Sequence, residues 1–96
     1  MTILIEETNT TLKVTGHARR EVCAMVTALI MGYVQNMEAE TGEPLPHKIE
    51  DGYFFIDHSL CKGGKAQLLT RCLKRNLKQL SVEYPTMITY IPIGYA

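Results

Sequence analysis

The chain opens with a period-two alternation of apolar and polar residues. Residues 2–6 are largely β-branched and apolar, and residues 11–15 place Leu12 and Val14 on one face. This period is typical of strands that are buried on one side. The polar segment between the two runs has turn-forming side chains, so we predict a β-hairpin over residues 2–17.

From about Arg20 to Glu40 the apolar positions recur at steps of three and four residues, which predicts an amphipathic or largely buried helix. We expect this helix to end at Thr41-Gly42-Glu43-Pro44, because Gly42 suits a left-handed cap and Pro44 cannot continue a helix. The apolar positions of the helix are Val22, Cys23, Val26, Leu29, Ile30, Tyr33, Val34 and Met37.

A second hairpin and a second helix complete the pattern. Residues 45–50 are a short strand candidate, Asp51-Gly52 is a two-residue hairpin turn, and residues 53–57 form the returning strand. A helix from about Lys65 to Glu83 and a strand over residues 87–91 follow, and we expect Pro92 and Gly94 to stop this strand. The order β-β-α-β-β-α-β predicts an α+β fold, a mixed sheet with two helices packed on one face.

The second helix has an apolar side and a basic side. It is expected to bury Leu69, Cys72, Leu73, Leu77 and Leu80, and to expose Arg71, Lys74, Arg75 and Lys78. A basic face of this kind is either simply solvated or able to contact phosphates. The preceding Lys62-Gly63-Gly64-Lys65 lacks the serine or threonine of a phosphate loop, so a flexible connector and an anion site at the helix start both stay open.

Composition narrows the class of protein. A chain of 96 residues with 46% apolar residues suits a single domain over residues 1–96. The formal net charge is zero, but residues 1–57 contain four basic and nine acidic residues, and residues 58–96 six basic and one acidic. Opposed halves favour self-association or a charged partner. Three cysteines without a C-x-x-C pair predict reduced thiols in the cytoplasm.

Several site classes are not expected. We find no signal segment and no apolar run of membrane-spanning length, so no membrane contact is expected. His58 and Cys61 have the spacing of half a zinc site, but no second pair of ligands accompanies them. We therefore expect no metal and no cofactor.

The segment from Gly16 to Cys23 combines several chemically active groups. A helix start has unpaired amides and the positive end of the helix dipole, which favour a thiolate at Cys23. His17 precedes it by six residues, close enough to reach the sulfur across the turn, and Arg19 and Arg20 add positive charge. These groups describe an activated nucleophile. They also fit a space-filling thiol and an ordinary surface histidine, and spacing alone does not decide between these interpretations.

Gly16-His17-Ala18 and Val22-Cys23-Ala24-x-Val26-Thr27-Ala28-Leu29 resemble the signature of the ribosomal-processing cysteine protease (Prp, YsxB-like) family. The last helix and the following Glu83-Tyr84-Pro85 are similar to the family's last helix and its Tyr-Pro exit. The resemblance implies that Cys23 is the nucleophile and His17 the catalytic histidine. By this resemblance the chain would be a divergent member with a shortened loop between the two residues, and Arg20 stands where the family usually has an aspartate.

The resemblance also implies a function, which we state as an expectation. It is limited proteolysis of a short N-terminal extension of a ribosomal protein, or of a phage structural protein, by a Cys–His dyad in a cytoplasmic homodimer. Gly16, Arg19 and Arg20 would bind substrate or support the site electrostatically. The alternative is a catalytically degenerate member that binds the ribosome, RNA or another protein through Arg71, Lys74, Arg75 and Lys78.

Overall fold

The part of the chain that the structure describes contains seven elements in the order β-β-α-β-β-α-β. The computed structural model describes residues 1–42 and 45–93, so the predicted helix stop at Pro44 and the predicted strand stop at Gly94 lie outside the described residues. The predicted element order is confirmed. The elements are β1 (Ile3–Glu7), β2 (Thr11–Gly16), α1 (Arg20–Thr41), β3 (His47–Glu50), β4 (Tyr53–Asp57), α2 (Gly64–Glu83) and β5 (Ile88–Pro92).

The strands form one five-stranded sheet in the order β3-β4-β2-β1-β5. β1 runs parallel to β5, whereas the other neighbours are antiparallel, so the sheet is mixed and the predicted α+β fold is confirmed. Ile3 of β1 lies opposite Gly16, and Glu7 lies opposite Leu12. These two residue pairs lie at opposite ends of the strands, which we call the Gly16 end and the Glu7 end of the sheet.

Alternate strand residues face the helices and form the core. Ile3, Ile5 and Glu7 are buried in β1, beside Leu12 and Val14 of β2. Full burial of an aliphatic side chain is worth about 1.5–3 kcal/mol, so a one-residue slip of β1 that exposed both isoleucines would cost about 3–6 kcal/mol. The core therefore fixes the register. The buried helix residues are Val22, Val26, Ile30, Tyr33, Val34 and Met37 of α1 and Ala66, Thr70, Leu73 and Leu77 of α2.

The length of α1 corrects one expectation. We expected no segment long and apolar enough to span a membrane, yet the 22 residues of α1 are sufficient by length and composition. Its charged residues lie near its two ends, and residues 22–37 carry none. Scattered Thr, Gly, Gln and Asn residues conceal this from a search for an unbroken apolar run. Core helices pass the same test, and a third of the apolar window is buried within the protein.

The basic side of α2 also differs from the prediction at one position. Lys74 was expected to be exposed, but only 18% of its side chain is exposed, and its Nζ lies 3.7 Å from Glu7 Oε1. Glu7 is itself buried and accepts a hydrogen bond of 2.7 Å from the Tyr90 hydroxyl. A buried carboxylate requires partners, and Lys74 is partly buried because its ammonium group pairs with Glu7.

Candidate active site

The end of β2 is fastened to the turn between β3 and β4. Gly16 has a φ of +96°, and a Cβ at this position would lie 2.2 Å from the Thr2 carbonyl oxygen. Only glycine fits such a conformation in so little space. The Gly16 amide donates to the Gly52 carbonyl at 3.0 Å. The residue after Gly16 is thereby delivered to the rim of the sheet beside the turn.

His17 lies over that turn. Gly52 has a φ of +72°, and a Cβ there would lie 2.5 Å from His17 Nε2, so the absent side chain provides the space for the imidazole. Asp51 Oδ1 lies 4.0 Å from the same nitrogen. Since Nε2 faces the turn, Nδ1 is the ring nitrogen that is left for a second partner. The two side chains are 48% and 99% exposed, so their pairing adds little to the stability of the fold.

Cys23 lies in the first turns of α1, with its amide donating to the Arg19 carbonyl at 3.0 Å. Its Sγ accepts a hydrogen bond of 3.2 Å from the Ala18 amide. The Ala18 carbonyl lies 3.4 Å from Sγ and accepts from the thiol in its protonated form. The Ala18 backbone thus holds the sulfur in place through both its amide and its carbonyl, at the start of α1.

His17 and Cys23 line one cavity of about 380 Å³ at the Gly16 end of the sheet. The structure therefore brings together the two residues that the sequence singled out, with Gly16 beside them. In the described part of the chain, no hydrogen bond joins the His17 imidazole to Cys23, whose sulfur contacts Ala18 instead. The other lining residues are mostly apolar, with two acidic side chains, Glu50 and Asp51. They are Ile3, Val14, Val26, Thr27, Ile49, Glu50, Asp51, Gly52 and Phe54.

Arg19 and Arg20 do not line this cavity. Arg19 is the residue before the helix and makes no capping hydrogen bond with its side chain; its Nε lies 3.9 Å from the exposed Glu21 carboxylate. Arg20 is exposed at the first position of α1. The two arginines thus contribute positive charge from outside the cavity rather than contacts inside it.

Asp51 is the residue of the site that sequence reasoning missed. We predicted Asp51-Gly52 as a hairpin turn, which is confirmed, but did not connect it with His17. No local pattern in the sequence connects the two residues, which meet because β2 and β4 are antiparallel neighbours with Thr15 opposite Tyr53. That pairing brings the turn preceding Tyr53 next to the residue that follows Gly16.

Metal binding finds no support in the described residues, among which no three His, Cys, Asp or Glu side chains are grouped closely enough to hold an ion. The chemistry that the cavity offers is that of a thiol and an imidazole.

Known proteins share this sequence pattern and this fold. A family model described as "Cysteine protease Prp" matches residues 2–89. The chain therefore belongs to the Prp cysteine protease family. Comparison with curated proteins gives no match.

Solved structures agree with the family. The ribosomal processing protease Prp from S. aureus, in complex with a covalently linked product peptide, is 25% identical, with a TM-score of 0.87 over 95% of this chain and 99% of that one. The same protease with a substrate peptide is 23% identical, with a TM-score of 0.80 over 95% and 97% of the two chains. A protein from Streptococcus mutans is 22% identical, with a TM-score of 0.79 over 95% and 91%. The latter two matches concern the fold alone.

Proposed function

We propose that this chain is a cysteine peptidase in which Cys23 is the nucleophile and His17 the general base and acid. The observation that carries the proposal is the shared cavity, which holds one thiol and one imidazole at the start of a helix. Membership of a cysteine protease family supports it. The 96 residues would act as one domain.

The reaction proceeds in two steps. The Cys23 thiol gives its proton to His17, and the sulfur attacks the carbonyl carbon of the scissile peptide bond. His17 returns the proton to the amide nitrogen as the C–N bond breaks, so the amine leaves and an acyl-thioester remains on Cys23. Water, deprotonated by His17, then attacks the thioester and releases the carboxylate product and the thiol.

Asp51 gives His17 its orientation in this proposal. Nε2 faces Asp51 across 4.0 Å, which leaves Nδ1 to exchange the proton with Cys23. The carboxylate also stabilises the imidazolium that forms after proton transfer. In this proposal Asp51, in the turn between β3 and β4, orients the imidazole. The family usually has an aspartate where this chain has Arg20, and Asp51 would replace it in that role.

The negative oxygen of the tetrahedral intermediate needs hydrogen-bond donors. The Cys23 amide is occupied by the Arg19 carbonyl. The amides of residues 20–22, at the start of α1, have no acceptor within the helix, and we assign the oxyanion to this first turn.

The substrate class is inferred from the family. One structure of S. aureus Prp holds a substrate peptide and another a covalently linked product peptide. We propose limited proteolysis of a short N-terminal extension of a ribosomal protein, or of a phage structural protein. The family resemblance also supports a homodimer, and the thiols of Cys23 and Cys72, which form no disulfide, support a cytoplasmic location.

The proposal is tested with peptides that carry the N-terminal extension of a ribosomal protein, with the products identified by mass spectrometry. Loss of His17 as His17→Gln should lower kcat by about 10²–10⁴-fold, and Cys23→Ser should abolish cleavage. Cys72→Ser is the matched control, because Cys72 is also a half-buried helix cysteine but does not line this cavity. Cleavage that survives Cys23→Ser, or a wild type that neither cleaves nor is labelled at Cys23 by a peptide electrophile, would contradict the proposal.

A second candidate function is supported by a groove along α2. Its volume is about 470 Å³, and four of its lining residues are Arg71, Lys74, Arg75 and Lys78. We propose RNA or ribosome contact there as the alternative for a catalytically degenerate chain. Lys74 pairs with Glu7, and Lys78 Nζ lies 5.5 Å from the centre of the Tyr90 ring, so Arg71 and Arg75 would contribute most of the binding.

Salt dependence separates the two functions. Each phosphate neutralised on a single strand contributes about −0.7 to the slope of log K against log salt. RNA binding with a slope of this kind that survives Cys23→Ser, in a protein without peptidase activity, would support the alternative. Insensitivity to salt and to Arg75→Gln would contradict it.

A further inference from the structure

A second polar cavity lies at the Glu7 end of the sheet, the opposite end from His17 and Cys23. Its volume is about 400 Å³, and it lies between the loop that follows β4 and the first turns of α2. Its lining, in the described residues, contains three cationic side chains and no carboxylate. The lining residues are Asn9, Thr10, His58, Ser59, Cys61, Lys62, Gln67, Thr70, Arg71 and Lys74.

His58 is the unusual residue of this cavity. It is only 9% exposed, and its Nε2 is buried without a hydrogen-bond partner among the described residues. Its backbone is held on both sides, since its amide donates to the Thr10 carbonyl at 2.8 Å and its carbonyl accepts from the Cys61 amide at 3.0 Å. A buried polar atom without a partner is costly, so a nitrogen fixed in this way points to a ligand.

The start of α2 adds positive charge on the same side. The preceding residue, Gly63, has no side chain with which to cap the helix, and the first turn contains no acidic residue. Caps and acidic side chains are the usual means by which a protein satisfies a helix N-terminus. Because α2 has neither, the positive end of its dipole is left uncompensated near the cavity. Residues 64–66 do not line the cavity, so the helix start contributes charge and not amide contacts.

We propose that this cavity binds a tetrahedral dianion of the phosphate type, with His58, Lys62 and Arg71 as its ligands. Lys74 lines the cavity but is not counted among the ligands, because its Nζ already lies 3.7 Å from Glu7 Oε1 and 3.4 Å from the Thr8 carbonyl oxygen. A free phosphate ion and a phosphate monoester share this chemistry. The site is separate from the peptidase cavity and does not depend on that function.

Binding is coupled to a proton. Burial lowers the pKa of His58 below its ordinary value, and the charge of Lys74 acts in the same direction. A hydrogen bond with its own carbonyl and the charges of Asp57 and Glu7 act in the opposite direction without overcoming burial. At pH 7.5 the site without an anion therefore holds a neutral imidazole, and a dianion beside it favours the protonated form. Sulfate, which keeps two negative charges across the relevant pH range, should bind more tightly at pH 5.5 than at pH 7.5.

The test is a calorimetric titration of the whole protein with sodium sulfate, sodium phosphate and glycerol phosphate at constant ionic strength. Lys62→Gln and Arg71→Gln should each weaken sulfate binding by about tenfold, the loss expected for one charge-assisted hydrogen bond. His58→Gln should weaken it and remove the dependence on pH. Tighter binding of glycerol phosphate than of phosphate would identify a monoester as the ligand.

Arg75→Gln is the matched control, because it removes the same charge one turn further along α2, outside this cavity. It should change sulfate affinity by less than about twofold, as expected for an exposed charge that makes no contact with the anion. Equal losses in Arg75→Gln and Arg71→Gln, or binding of an RNA oligonucleotide without binding of sulfate or phosphate, would overturn the proposal. Peptide cleavage by Lys62→Gln should equal that of the wild type, so a failure here is distinguishable from a failure of the peptidase assignment.

Discussion

Replacing Gly52 with alanine puts a methyl group where the His17 imidazole lies. The new Cβ would lie 2.5 Å from Nε2, whereas ordinary contact begins near 3.4 Å, so the ring must retreat by about 0.9 Å. A misplacement of about 1 Å in a catalytic group can cost about 100-fold in rate. We therefore expect Gly52→Ala to lower kcat/KM for peptide cleavage by about 100-fold.

The same substitution also strains the backbone, and that effect needs its own control. Gly42 has the same φ of +72° but nothing within 4 Å of its added Cβ. A non-glycine residue in this left-handed conformation costs about 1–2 kcal/mol, so both alanine variants should lose this amount of unfolding free energy. In a domain of this size, each 1 kcal/mol lowers Tm by about 4–8 °C.

The assay compares the two variants by urea unfolding and by peptide cleavage at a temperature where both are folded. The difference in cleavage between Gly52→Ala and Gly42→Ala isolates the displacement of His17, because the strain is common to both. The labelling rate of Cys23 by iodoacetamide gives a second measure of the site. If Gly52→Ala cleaves as fast as Gly42→Ala, His17 over the turn is not the catalytic position, and the assignment of Asp51 as its partner fails as well.

Three further predictions test other parts of the structure. Asp51→Asn should lower kcat/KM about tenfold yet change the unfolding free energy by less than about 0.5 kcal/mol, because its pair is exposed; Glu50→Gln is the control, and unchanged kcat/KM would refute the role of Asp51. The lowered pKa of His58 should make the wild type lose stability as pH falls below 6.5, the ordinary pKa of histidine, because the unfolded chain takes up the proton more readily. Urea midpoints between pH 7.5 and 5 should show this loss in the wild type but less of it in His58→Gln, and identical profiles would contradict it. Tyr33→Phe removes a buried hydrogen bond of 2.8 Å to Thr70. The Thr70 hydroxyl still donates to the Ala66 carbonyl at 2.9 Å, so we expect the unfolding free energy to fall by only about 0.5–1.5 kcal/mol. A loss in urea unfolding that approaches about 3 kcal/mol, the upper cost of an unsatisfied buried group, would contradict this expectation.

The elements could be predicted from the sequence because their periods follow directly from burial. Leu12 and Val14 alternate in β2, and both are buried on the face that the helices cover. The predicted stop at Gly42 is confirmed, with its amide donating to the Glu38 carbonyl at 2.9 Å. In each case the local sequence carries the signal, as the alternation of a half-buried strand or as the glycine of a left-handed helix cap.

The parts that could not be predicted depend on pairing between distant segments. Asp51 reaches His17 only because β4 lies beside β2, and no local pattern reports that neighbour. Lys74 turns inwards because Glu7, 67 positions earlier, is buried at the same end of the sheet. A helical period predicts the side of α2 on which Lys74 lies, but not the carboxylate that it meets.

The connection between β2 and α1 consists of only three residues, His17, Ala18 and Arg19. Its middle residue contacts the Cys23 sulfur through both its amide and its carbonyl. Fixing the backbone of a mobile residue costs about 1–2 kcal/mol, so an enzyme that orders a long loop around its substrate loses that much affinity for each residue. This chain has no such loop between its histidine and its cysteine. A peptide that enters the cavity should therefore bind in one kinetic phase, without a slow ordering step, and its affinity should depend on its contacts alone.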